Sequence, residues 1–388
     1  MARKITTGLD IGSSFIRVAV CEYKDGQKIP EVLALVKKQS RGLRRGYIVA
    51  FDETVDAIAE ALTEAERLSG LRIKNVNLGI GGVSLESRMS DGLVMISKAD
   101  AIIGEQDINR VIEESEQNLH NALNNRSIIH RIPLSYKIDG KKLYGRPEGQ
   151  KGNKLEVRSL FIVAQNQHVE DLVKAVETAG VRVGDIVASP LAAALPLLSK
   201  VQKTAGCVLA NIGSQTTSVV LFEDNLPMAL NVFPLGSNDI TNDIALVYRI
   251  NLDEAEKIKR GEMDPQASKK KLGDIISARL YDIFEFIENH LKKIGRSGLL
   301  PAGIIITGGG SNVPEIDALA KDYFKLPAKV AEASIQTASG GIIKDTAWSV
   351  AYGLCLISHD KDIDESFSNK IISSTGKGLL DWLRELLP

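Results

Sequence analysis

Short apolar runs separated by polar turns dominate the chain, and they follow two different periods. Phe15–Glu22 reads as a strand, Lys24–Gly26 as a turn and Val32–Val36 as the next strand. Much later, Cys207–Ala210, Ser218–Phe222 and Met228–Phe233 repeat the series, with Glu223, Asp224 and Asn225 at the turn. Helical spacing predicts helices over Val55–Leu68, Val169–Ala179, Leu191–Leu198 and Ile283–Ile294. Between Ser84 and Ile162 the pattern changes to one long polar helix (Glu105–Asn121) and short strands such as Ser127–Ile132. The most apolar windows, Ala188–Leu198 and Ala347–Ser358, fall short of the ~18 residues a spanning helix needs.

The two strand series share their punctuation. Asp10-Ile11-Gly12-Ser13-Ser14 stands in the first hairpin and Asn211-Ile212-Gly213-Ser214-Gln215-Thr216-Thr217 in the second. A second matched pair is Asn75–Gly82 and Gly303–Asn312. The pattern predicts two duplicated halves, each a mixed sheet with helices. Glycine beside small hydroxyl residues lets a backbone approach a phosphate, with amides and hydroxyls aimed at its oxygens. An acid before such a turn, here Asp10, suits water-mediated Mg²⁺ binding. Two such turns across a cleft would clamp a polyphosphate, and Gly308, Gly309 and Gly310 at a strand end would admit a base and ribose. No P-loop and no Rossmann glycine pattern occurs.

Composition narrows the classes. Lys and Arg total 48, Asp and Glu 49, and the net charge of −1 argues against a general nucleic-acid binder. Cys21, Cys207 and Cys355 are far apart in apolar stretches, so reduced buried thiols are expected. The five histidines make no metal-ligand spacing. The basic stretch 37–45 and Lys269–Lys271 read as solvated segments.

At Asp10–Ser14, Asn211–Thr217 and Thr307–Ser311 the sequence resembles the actin-like ATPase superfamily. Within it, Ser40–Val49, His130–Pro133 with Tyr136 and Asp139-Gly140, Leu235–Ala245 and Glu254–Lys259 resemble the bacterial cell-division FtsA family. The resemblance implies an α/β, ribonuclease H-like duplicated fold with two halves around a nucleotide cleft and an FtsA-type inserted subdomain. It implies a first half over residues 1–83, continued at about 163–197 and 346–358, and the inserted subdomain over 84–162. The second half would span 198–234 and 301–345, with a helical subdomain at 235–300. ATP and Mg²⁺ are the implied cofactors. Asp10, Gly12, Ser13, Ser14 and Arg17 would serve one phosphate turn, and Gly213, Ser214, Gln215 and Thr216 the other. Gly236, Ser237, Glu256, Lys259 and the 308–310 glycines would hold the nucleoside, and Asp10 the metal through water.

Two positions depart from the superfamily pattern. Asn211 replaces the usual Asp, and Ser189 stands where hydrolytic relatives place a Glu, or nearby a Gln, to orient water. No catalytic residue is assigned, Asp10 and Asn211 being at most positioners of metal-bound water, and the expected ATPase is weak or absent.

After Leu356 the composition shifts again. Residues 359–376 read as a polar linker, and 377–388 as an amphipathic helix. On a helical wheel of about 100° per residue, Leu379, Leu380, Trp382, Leu383, Leu386 and Leu387 share one face suited to a membrane interface. One such helix binds weakly and many in a filament bind strongly. The implied protein polymerises at the cytoplasmic face of the cell membrane, at the division site, and tethers the tail of the tubulin-like protein FtsZ through residues 235–300. A PilM-like pilus-assembly protein and an actin-fold kinase or chaperone ATPase are the alternatives.

Overall fold

The computed structural model describes residues 4–24, 26–27, 29–97, 100–119, 123–264 and 268–357. The expected linker at 359–376 and terminal helix at 377–388 lie outside the described residues. Its described residues divide into two compact units, one built from residues up to Val83 together with Asp171–Leu356, the other centred on Ser84–Glu170.

In the first unit, β1 (Lys4–Ile11), β2 (Phe15–Tyr23) and β3 (Glu31–Gln39) form an antiparallel meander. A small hairpin, β4 (Leu43–Arg44) and β5 (Tyr47–Ile48), follows. Helix α1 (Phe51–Ser69) buries Thr54, Ala57, Ile58, Ala61, Leu62 and Ala65, a stripe with helical spacing, and Gly70 ends it in the left-handed region. β6 (Asn75–Ile80) then returns parallel to β1.

Among the described residues, the second unit is a four-stranded antiparallel sheet under one helix. Its elements are β7 (Glu86–Met95), α2 (Glu105–Gln117), β8 (Arg126–Ile138), β9 (Lys141–Leu143) and β10 (Lys154–Gln165), with strand order β7-β10-β8-β9. Ile108 and Val111 of α2 pack with Val94, Ile96, Leu155 and Val157. The helix stops at Gln117, four residues short of the polar pattern, with Asn118 as its cap.

Helix α3 (Asn166–Thr178) leads to β11 (Arg182–Ala188), which pairs parallel with β6. Helices α4 (Ser189–Leu197) and α5 (Lys200–Ala205) precede a second meander, β12 (Cys207–Ile212), β13 (Thr217–Glu223) and β14 (Leu226–Phe233). Three helices follow: α6 (Ser237–Tyr248), α7 (Leu252–Lys259) and α8 (Lys269–Lys293). Then come β15 (Gly303–Thr307), α9 (Ile316–Phe324) and β16 (Ala328–Val330). A short β17 (Ile335–Gln336) and β18 (Ile342–Ile343) pair precedes α10 (Ser349–Ile357).

The two five-stranded sheets have one topology. Their orders are β3-β2-β1-β6-β11 and β14-β13-β12-β15-β16, each a meander whose first strand also pairs parallel with a returning strand. The duplication expected from the punctuation is therefore a duplication of strand order. The second sheet and α6–α9 share one core, in which Ile240, Ile258, Leu280, Phe284 and Phe324 meet Val208, Ile212 and Ile304. α10 seals the first sheet, where Asn77 Nδ2 donates to Leu354 O at 2.9 Å and Tyr23 OH to Cys355 O at 3.0 Å. All three cysteines are free and buried. Among the described residues no helix is long and apolar enough to cross a membrane.

Candidate functional site

The two hairpin turns are built the same way. Gly12 N–H donates to Phe15 O at 3.1 Å, and Gly213 N–H to Thr216 O at 2.8 Å. A Cβ at Gly12 would lie 2.9 Å from Phe15 O, and one at Gly213 2.9 Å from Thr216 O. Neither turn tolerates a side chain there, so the glycines are required by closure before any ligand is considered.

The strands leading out of the turns differ in charge. Asp10 stands opposite Arg17 in register, with Arg17 Nη1 4.0 Å from Asp10 Oδ2. The matching residue Asn211 stands opposite Ser218. The second half thus lacks both the carboxylate and its cation, so the amide leaves no charge uncompensated. Burial raises the Asp10 pKa to about 6, against the lowering influence of Arg17.

A cleft of about 500 Å³ runs between these turns. The first turn contributes Asp10, Gly12, Ser13, Ser14 and Arg17, and the second Asn211, Gly213, Ser214 and Thr216. Ser237, Glu256 and Lys259 line it from the helices, Gly308 and Gly309 from the end of β15. Three expected residues do not line it: Gln215, Gly236 and Gly310. Gly236 instead abuts the second turn, where a Cβ would lie 2.6 Å from Ser214 O. A Cβ at Gly308 or Gly310 would press on Asn211 or Ile212, whereas one at Gly309 would meet nothing within 4 Å.

Helix α6 is anchored on the second turn. Its first amides, Ser237 and Asn238, donate to Gly213 O and Ser214 O at 2.9 and 2.8 Å. Beneath it, Lys259 Nζ donates to Thr241 Oγ1 at 2.8 Å and lies 2.6 Å from Glu256 Oε2. Glu256 also holds Arg260 at 2.8 Å. Desolvation alone would raise the Glu256 pKa, and the bonds from Lys259 and Thr241 bring it below its usual value.

The cleft contains cations that sequence reasoning missed. Lys37, expected in a solvated segment, belongs to β3 and stands directly opposite Arg17 on β2. Arg260 lines the cleft too, and desolvation, Arg17 and Arg260 together depress the Lys37 pKa. Cross-strand like charges are unfavourable unless an anion lies between them. Arg17 Nε is buried without a hydrogen-bond partner. The Arg17–Lys37 pairing was available in principle from strand register; Arg260 was not, because it arrives from another element. Ser189 is buried at the start of α4, its Oγ 2.9 Å from a Cβ built on Gly79. Chemically, the cleft can hold a polyanion.

The cell division protein FtsA family matches residues 208–353, and the SHS2 domain inserted in FtsA matches residues 82–163. The FtsA of Borreliella burgdorferi is 30% identical over 384 residues, 93% of this chain and 92% of that protein. The FtsA of Neisseria meningitidis is 31% identical over 372 residues, 89% of this chain and 88% of that one. Among solved structures, the PilM–PilN type IV pilus biogenesis complex superposes with a TM-score of 0.68 at 20% identity. That likeness covers 92% of this chain and 98% of the other. MreB5 of Spiroplasma citri, bound to ADP, gives 0.55 at 13% identity, over 92% and 96% of the chains. The fold is the actin-like one expected, with the FtsA-type insertion. On the identity and coverage of these relatives, the chain belongs to the FtsA family of cell division proteins.

Proposed function

We propose that this chain binds ATP in the cleft, polymerises on the inner face of the cytoplasmic membrane and anchors FtsZ there. The observation that carries the nucleotide part is the pair of matched turns facing a cleft with an unpartnered, buried Arg17 Nε. Spiroplasma MreB5 structures of similar fold hold ADP and AMPPNP, which supports the same reading. Gly12, Ser13, Ser14 and Arg17 would bind phosphate on one side and Gly213, Ser214 and Thr216 on the other. Glu256 and Lys259 would face the nucleoside, and Gly309 would admit it.

A magnesium ion suits Asp10, a largely buried carboxylate with the Arg17 guanidinium 4.0 Å away. Held through water, the ion would neutralise phosphate charge. Asn211 and the buried Ser189 place no carboxylate at the two positions that assist hydrolysis in related folds. Such assistance is worth ~10²–10⁴ in rate, so ATP acts mainly as a structural ligand of the polymer-competent state. A steady-state turnover of many per minute would overturn that reading.

In this reading residues 84–162 are the family-specific subdomain, and residues 235–300 receive the FtsZ tail. Residues 377–388 attach the filament peripherally at the division site. The deciding experiment is a pulldown of the full chain with an FtsZ C-terminal peptide. Capture is expected, and its absence would favour a pilus-assembly role of the PilM kind. For the membrane part, Trp382→Glu should lower co-sedimentation with liposomes, and equal pelleting would count against it.

A further inference from the structure

The segment between β3 and α1 is folded over the first turn. Ser40 Oγ donates to Gly12 O at 2.6 Å, and Ser40 N–H to Ser14 O at 3.0 Å. The chain then makes the β4–β5 hairpin, whose base is closed by Val49 and Ala50 amides donating to Gly42 O. Its two central residues, Arg45 and Gly46, have φ of 52° and 86°, the left-handed pair a two-residue hairpin turn demands. The central amides of such a turn have no partner within the hairpin itself. Here both are used elsewhere. Gly46 N–H donates to Ser13 Oγ at 3.0 Å, and Arg45 N–H donates to Gln215 Oε1 at 2.7 Å.

One hairpin tip therefore touches both phosphate-type turns, one from each half. A serine hydroxyl carries a single proton, so accepting from Gly46 leaves that proton free to point into the cleft that Ser13 lines. Gln215 sits in the second turn but outside the cleft lining, and its side-chain oxygen spans to the hairpin instead. Gly46 lines the cleft and lies so close to Gly82 that a Cβ would be 2.6 Å from Gly82 Cα.

We propose that the Arg44–Tyr47 turn is a strap for the phosphate site, resting on the nucleotide reading above. The Gly46 amide orients Ser13 as a donor to the anion. The Arg45 amide, through Gln215, sets the gap between the two turns. Arg45, Gly46 and Gln215 are positioning residues; none needs to touch the ligand.

The test is ATP affinity, with magnesium, of the full chain and three variants. Gln215→Leu removes the acceptor without imposing a backbone conformation, and Gly46→Ala displaces the tip. Gly26→Ala carries the same left-handed penalty (φ 78°) with nothing within 4 Å of the new Cβ. The first two should each weaken ATP binding at least about tenfold, the scale of a lost hydrogen bond to an anion, while Gly26→Ala binds as the parent does. In the parent, ATP should slow hydrogen exchange at the Arg45 and Gly46 amides; in Gln215→Leu the Arg45 amide should exchange fast with or without ATP. A merely structural role would leave those two amides insensitive to ATP. If the parent binds ATP and both variants bind within twofold of it, the strap is overturned and the nucleotide reading survives. If the parent binds no ATP, the nucleotide reading falls and the strap with it.

Discussion

The Lys259 ammonium lies 2.6 Å from the Glu256 carboxylate, one turn away on α7, with the lysine side chain only 6% exposed. It also reaches Ser237 O at 3.1 Å, so one cation joins α7 to the start of α6. Removing one partner of a buried pair strands the other charge, which costs more than removing both. Glu256→Gln should therefore lower stability by about 2 kcal/mol, and adding Lys259→Met should restore part of it. Urea midpoints of the two single variants and the double variant measure the coupling.

Arg17 presents a buried Nε without a partner and stands beside Lys37 in register. A bound polyphosphate would satisfy that nitrogen and relieve the repulsion. Arg17→Gln should weaken ATP roughly 10- to 100-fold, as expected for a hydrogen bond to a charged group. Without ligand it should shift the thermal midpoint little, because relief of the Lys37 repulsion is offset by loss of the cation beside Asp10. Isothermal titration and a thermal melt separate the two effects.

His130 on β8 is buried, and burial lowers its pKa to about 3. Neutral when folded, it takes up a proton on unfolding at any pH between about 3 and the unfolded value near 6.5. Its contribution is thus complete above pH 6.5 and is lost as pH falls below it. At pH 5 the loss should be about 2 kcal/mol relative to pH 7.5. Hydrogen exchange of β8 and β10 amides at the two pH values reads it, and His130→Gln should flatten the dependence.

Gly92 on β7 lies under α2, where a Cβ would come 2.2 Å from Val111 O and 2.7 Å from Ser115 N. Both contacts are helix backbone, which cannot rotate away. Gly92→Ala should cost about 1–3 kcal/mol by lifting α2 from the sheet. Gly149→Ala, with φ 78° and nothing near its Cβ, carries only the ~1 kcal/mol left-handed penalty. Chemical denaturation followed by exchange of residues 84–170 compares them.

Much of the fold was legible because its signals are local. The turn at Gly12 and its match at Gly213 depend on residues within four positions, and so do the apolar alternation of the meanders and the stripe on α1. Duplicated punctuation implied duplicated sheets, and the shared strand order follows from it. The ion pair of Glu256 and Lys259 was equally legible, since a spacing of three on a helix puts both on one face.

What the chain by itself determined, then, is the two strand series, several of the helices and the glycine turns, and with them the family. Tertiary structure decided which distant groups share a desolvated space. Lys37 looked like part of a solvated run until β3 paired with β2 and set it against Arg17. Gln215 read as a phosphate ligand until the hairpin amide of Arg45 claimed its oxygen. The 308–310 glycines read as one surface, yet two of the three are held by contact with Asn211 and Ile212. Backbone preference acts over a few residues and is written in order along the chain. Desolvation and charge proximity act through space, and only folding brings such partners together.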